Sequence, residues 1–242
     1  MPATATPLRT PPSLPQSHRP AHVQLLQRPQ PLVKACELAF LRFEVPDLDA
    51  TEAFMLDFGM QRTERTAESL VMRGTGSSPC IYSATRGPKA RFVGSAFTVP
   101  AGTDLDRLAE RSGGRRLDPK TIPGGGQGIE LTDPAGHSVW LLSDRPALEP
   151  LPVREPLLPM TNTVQHKPRV NAGVRAPVEP AAVVRLGHVA IQTADFPTMA
   201  QWYMRHLGLI PTDVQYLSDG SPALPFFRLD LGDEPADHHT FV

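Results

Sequence analysis

Along the chain, apolar and polar residues alternate from Leu38 to Val45 and then shift to helical spacing after Asp47; the same switch recurs from Leu186. Placing LAFLRFEVPDLDATEAFMLDFGMQ over LGHVAIQTADFPTMAQWYMRHLGLI aligns Phe40 with His188, Phe43 with Ile191, Asp47 with Asp195 and Phe54 with Trp202. One extra residue in the second copy brings Gly59 over Gly208. Each copy predicts a short strand, a turn ending in an Asp suited to cap a helix, an amphipathic helix and a Gly stop. In the second helix Met199, Trp202, Tyr203 and Leu207 share one face and are read as core.

Between the copies the pattern predicts strands at Ser69–Met72, Pro79–Ser83 and Gly94–Val99. A helix follows at Asp104–Arg111, with Leu105 and Leu108 inward and Gly113–Gly114 ending it. Two further strands, Gly128–Leu131 and Ser138–Leu142, are joined by the turn DPAGH. The order is β-α-β-β twice over, and repeats of this length bury both faces only by packing on one another. Gly-rich GGGQG at 124–128 lacks a following Lys and Ser or Thr and leads into a strand, so it is read as a loop approaching a hairpin rather than a phosphate cradle.

The prolines, 28 in 242 residues, mark where these elements stop. Eight fall in residues 1–33, which hold Arg9, Arg19 and Arg28 and no acidic residue. Residues 1–34 are therefore expected to be a disordered tail, since so many prolines would break the amphipathic helix of a transit peptide. Another eight fall between Asp144 and Ala182, expected to be an interdomain linker. Two folded blocks remain, 35–143 and 183–242.

A balance of 24 basic and 25 acidic residues gives no electrostatic footprint for nucleic acid. No run approaches the roughly 18 apolar residues of a membrane span. Cys36 and Cys80 cannot build a disulfide framework and are read as buried small hydrophobes of a cytoplasmic protein.

The repeat, the LGHVAIQTADF opening, WYMRHLGL, the GIELTDPAGHSVWLL hairpin and DHHTFV together resemble the vicinal oxygen chelate superfamily, over about Cys36 to Val242. Within it the chain looks most like a two-domain, type I extradiol ring-cleavage dioxygenase. The resemblance implies an α+β fold of tandem βαβββ modules with the second domain truncated. It further implies a cytoplasmic enzyme of aromatic catabolism that opens a small aromatic diol with O2 at a non-haem Fe(II), or Mn(II), and that assembles as a homo-oligomer.

The metal in that family sits on two His and one carboxylate. Carried over, the resemblance makes His188 a metal ligand. It makes His239 the acid–base residue with His238 as alternate, because strand alternation turns only one of the pair inward. Phe226, Phe227 and Ala190 would line the aromatic ring, while Arg228 and Asp230 would form a solvated face or an ion pair. Phe40 and Trp140 would stand where the first block would otherwise carry ligands, leaving that block metal-free; His137 would be a surface residue and Glu130 a solvated strand residue. The second ligand His, the ligand Glu and the family's active-site Tyr find no match, since the following βαβββ module is absent. Phe241 and Val242 are then expected to be an exposed apolar edge. The alternatives are a non-redox lyase, isomerase or small-molecule-binding resistance protein of the same superfamily, and a catalytically dead paralogue.

Overall fold

The first block folds as two βαβββ modules. The computed structural model describes residues 25–153, 164–165, 167 and 179–242. The first module runs β1 (Glu37–Val45), α1 (Leu48–Asp57), β2 (Gln61–Arg65), β3 (Ser69–Arg73) and β4 (Tyr82–Arg86). The second runs β5 (Arg91–Thr98), α2 (Leu105–Ser112), β6 (Arg115–Arg116), β7 (Gln127–Thr132) and β8 (Ser138–Ser143). Together the strands form one eight-stranded sheet in the order β2-β3-β4-β1-β5-β8-β7-β6. Each first strand pairs in parallel with its own module's fourth, and β1 pairs antiparallel with β5, so the two modules join through their first strands.

The helix boundaries are set by side chains visible in the sequence. Asp47 accepts hydrogen bonds from the amides of Asp49 and Ala50, and Asp104 from that of Arg107. These cap donors that the first helical turn leaves unpaired. Two strands that the pattern does not predict, β2 and β6, read QRTER and RR. They are the two outer strands of the sheet, with no apolar face to betray them. The expected strand at Pro79–Ser83 forms instead at Tyr82–Arg86, and the expectation that α1 is amphipathic is also corrected: Leu48 alone is buried, while Phe54, Leu56 and Phe58 are exposed.

The second block makes a third βαβββ module. An extended segment around Val189 leads to α3 (Phe196–Leu207), β9 (Ile210–Tyr216) and β10 (Pro222–Arg228). Asp195 caps α3 by accepting from Thr198, and Gly208 ends it at φ +70°, a left-handed conformation that glycine adopts without strain. Phe241 then bridges Val189 in parallel and Phe227 antiparallel, repeating the strand order of the earlier modules. This corrects the expected apolar edge at Phe241 and Val242: Phe241 is 5% exposed and stacked on Tyr203 at 4.0 Å. The open edge belongs to residues 188–192. There, Val189 and Ile191 bond to Thr240 and Val242, while the amides of His188, Ala190 and Gln192 have no backbone partner among the described residues.

One apolar core joins this module to the first block, with Met199, Tyr203, Met204 and Leu207 of α3 packed among Leu105, Ile129, Leu131 and Leu141. Two connecting segments hold it in place. Residues 25–34 correct the expected tail at its C-terminal end. Arg28 bonds to Gly208 O at 2.7 Å and pairs with Asp230, Leu32 N donates to Arg205 O, and Leu26, Leu32 and Val33 pack on the core. Packing on the core removes part of their apolar surface from water, which favours docking. The earlier part of that tail and most of the expected linker lie outside the described residues. At the linker's end, Thr75 N donates to Val183 O at 2.8 Å and Val183 N to Gly59 O at 3.0 Å. Gly59 sits at φ +103°, and a Cβ there would lie 2.4 Å from Ala181 O, so this approach requires glycine.

Candidate active site

Val189 is buried in its bridge to Phe241, and alternation along the extended chain leaves its neighbours His188 and Ala190 exposed. The loop before Phe241 brings His239 to His188, the ring centroids 4.7 Å apart and tilted by 57°. Phe226 stands edge-on to His239 at 5.2 Å and lies 5.9 Å from His238. Its neighbour Phe227 is 1% exposed on the opposite face, in the core beside Phe241. The two phenylalanines expected to share one wall are thus divided by strand alternation, and Phe226 alone reaches the imidazoles.

His238 and His239 differ in their partners. His238 Nε2 bonds Asp213 Oδ2 at 2.7 Å and its Nδ1 faces His239 Nδ1 at 3.0 Å. Because a carboxylate only accepts, a neutral His238 donates from Nε2 and accepts at Nδ1. His239 then donates from Nδ1, which leaves its Nε2 with a lone pair. Asp213 holds the exposed His238, and His238 fixes the tautomer of half-buried His239.

In the first block the corresponding face is filled. Leu41 pairs with Tyr82 as Val189 pairs with Phe241, which sets Phe40 in the place of His188 and Cys80 in that of His239. Phe40 is fully buried and meets Trp140 edge-to-face at 6.1 Å. Ala39, Val71, Ala96, Leu117, Ile122 and Leu142 belong to the same cluster as Phe40, Cys80 and Trp140, and Arg42 lies over the Trp140 ring at 3.7 Å, with burial drawing its guanidinium down to about 10. Burial also pushes the Cys80 thiol up to about 12. Cys36, expected to be buried as well, is exposed.

The reading of His137 as a surface residue is corrected. Its Nδ1 bonds Asp133 Oδ2 at 3.0 Å, and its ring packs 5.3 Å from that of Phe92. Asp133 is fully buried at its carboxylate and also accepts from the amides of Ala135 and His137 and from Tyr203 Oη at 3.0 Å. Burial, followed by the Asp133 charge, raises Tyr203 well above the ordinary tyrosine range, so it remains a donor. The DPAGH turn shows the Asp133–His137 spacing, but no local signal links it to Tyr203, 70 residues away. Glu130 bonds Ser138 and pairs with Arg115, as an ordinary strand residue does.

Two cavities border the 188–192 segment. One, about 390 Å3, is largely apolar and lined by Ala190, Ile191, Phe196, Met199, Leu224 and Phe227. The other, about 490 Å3, lies between His188–Gln192 and Leu41, Phe43, Phe92 and His137. Among the described residues, no group of three or more His, Cys, Asp or Glu is placed to hold a metal ion. His188 and His239 supply two imidazoles without a carboxylate to complete them, so these residues do not fit a full two-His, one-carboxylate centre.

No family model matches the chain, and no curated protein matches its sequence. Solved structures do match its fold. The Mn(II)-bound glyoxalase from Novosphingobium aromaticivorans is 19% identical at a TM-score of 0.60, over 86% of this chain and 61% of its own. Homoprotocatechuate 2,3-dioxygenase from Arthrobacter globiformis is 18% identical at 0.63, over 90% and 62%. A variant of homoprotocatechuate 2,3-dioxygenase from Brevibacterium fuscum is 19% identical at 0.65, over 90% and 55%. The chain therefore spans between 55% and 62% of the length of these structures. No described helix is long and apolar enough to cross a membrane. With three βαβββ modules, two of them joined through their first strands, the chain has the vicinal oxygen chelate fold.

Proposed function

We propose that this chain is part of a cytoplasmic, homo-oligomeric extradiol dioxygenase that opens a small aromatic diol with O2. The observation that carries this reading is the convergence of His188, His239 and Phe226 on one face of the third module, at positions where the first module buries Phe40 and Cys80. His188 would be one ligand of Fe(II) or Mn(II), while the second His and the carboxylate of that set find no match in this sequence. Such a metal, when bound, supplies joint binding of the diol and O2. His239, with its Nε2 lone pair set by His238, accepts and returns the proton of a diol hydroxyl, for which an imidazole is suited. Phe226 provides an apolar edge against the ring, and Ala190 leaves room beside it.

The test is anaerobic loading with Fe(II), followed by assay of catechol and 2,3-dihydroxybiphenyl for the yellow ring-opened product. With its ligand set incomplete, the chain is expected to hold iron only weakly and below stoichiometry, less still with His188→Ala, and to show a catechol-induced change in the NMR signals of His239. Retention indifferent to His188→Ala, or catechol that leaves His239 unchanged, overturns it. A second reading, a non-redox lyase or isomerase, is favoured by the likeness to the Mn(II)-bound glyoxalase and is distinguished by turnover without O2 consumption.

A further inference from the structure

The inner face of the first block stays open beyond the Phe40–Trp140 cluster. Arg42 on β1, Ser83 on β4 and Val71 on β3 lie side by side in register, so their side chains project to that face. With Trp140, Ile122 and Pro123 they border a cavity of about 290 Å3, at the small end of the range for ligand sites. Every residue that lines it belongs to the first block, and His188, Ala190, Phe226, His238 and His239 are not among them.

Arg42 sets the chemistry of this cavity. The Trp140 ring covers the flat face of its guanidinium at 3.7 Å, which leaves the in-plane N–H edges for acceptors. Among the described residues only Nη2 has one, the Ser138 carbonyl at 3.3 Å, and the enclosed Nε has none. Glu130 acts on Arg42 from beyond ion-pairing distance and is itself bonded to Ser138 and paired with Arg115. A half-buried guanidinium with free donors has lost hydration that the fold does not replace, and a carboxylate matches its planar fork. Lys120, on the turn Pro119–Thr121, adds a second cation at the rim against the one carboxylate of Glu64. The lining thus balances a single negative charge, and a phosphate dianion would bring one too many.

We propose that this cavity binds a small organic monocarboxylate, its carboxylate held by the Arg42 guanidinium and its apolar body lying against Val71, Val93, Ile122 and Pro123. Trp140 acts as a positioning residue, since stacking on its ring holds the guanidinium plane in place. The site is separate from the ring-cleavage reading, which rests on His188 and His239 of the third module.

The experiment uses the full chain labelled with 15N in arginine and tryptophan, titrated with benzoate and, as an uncharged control of the same shape, benzamide. Benzoate is expected to shift the Arg42 Nε–H and Trp140 indole signals saturably and to leave the indole of Trp202 unmoved, whereas benzamide shifts neither. Arg42→Gln is expected to weaken benzoate binding by roughly ten- to a hundredfold, and Lys120→Met by up to about fivefold. Because the shifts are read on the unaltered protein, the proposal is decided even where Arg42→Gln folds poorly. His188→Ala is expected to leave benzoate binding unchanged, so this proposal and the ring-cleavage reading fail separately. Benzamide shifting the same signals as strongly as benzoate would overturn the proposal, as would displacement of benzoate by an equal concentration of inorganic phosphate. Benzoate shifts confined to His188 and His239 would overturn it and assign the acid to the imidazole face.

Discussion

The same backbone position carries opposite chemistry in the first and third modules. Phe40 is fully buried against Trp140, whereas His188 is exposed and faces His239; Cys80 is a buried thiol, whereas His239 is half-buried with a directed lone pair. Even the helices diverge, since Phe54 is 60% exposed while its counterpart Trp202 stacks on His206 at 4.2 Å and lies against the core. Phe40 shows that the strand folds without a histidine. The face of the third module is therefore free of packing duty, and that is where chemistry can be housed.

The largest effect should come from breaking the filled face. Phe40→Ala removes a buried ring between Trp140 and Leu142 and is expected to cost about 3–5 kcal/mol, read from the denaturant midpoint. Next is the joint between modules. Asp133→Ala leaves the Tyr203 hydroxyl, the His137 ring and two amides without their acceptor and should cost roughly 2–4 kcal/mol, with Tyr203→Phe costing less, about 1 kcal/mol.

A smaller effect is expected where residues 25–34 dock. Asp230 is drawn from the ordinary 3.8 to about 2, first by its hydrogen bond from Arg28 and then by Lys34. Because the folded value is the lower one, this stabilisation is fully present above pH 3.8 and is lost as the pH falls through 2. With Lys34 about half exposed, screening leaves on the order of 1 kcal/mol, and Asp230→Asn should flatten that part of the acid-unfolding curve. The smallest effect sharpens the comparison. His188→Ala, at an exposed position, is expected to change stability by less than about 0.5 kcal/mol. A cost comparable to that of Phe40→Ala would show that the third-module face is packed core after all.

Much of the fold was legible because it is local. The aspartates at 47, 104 and 195 and the glycine at 208 act within a turn of the helices they bound, and the repeat exposes itself as a shift in apolar period. The outer strands β2 and β6 were not legible, because their polar residues carry no period and only pairing with β3 and β7 makes them strands. The candidate site divides the same way. His188 stood out against Phe40 in the aligned copies, but that Phe226 rather than Phe227 faces the imidazoles depends on the register of β10 against β9 and Phe241.

The sequence by itself determined the module, its repetition, its helix ends and the residue types available for chemistry, since these follow from capping, periodicity and side-chain identity over a few residues. Only the tertiary structure decided the fully satisfied Asp133 carboxylate, the docking of residues 25–34 on α3, and an open edge at residues 188–192 instead of at Phe241. Each of these joins residues dozens of positions apart, and no local preference encodes which buried donor an acceptor will meet once two modules share one core.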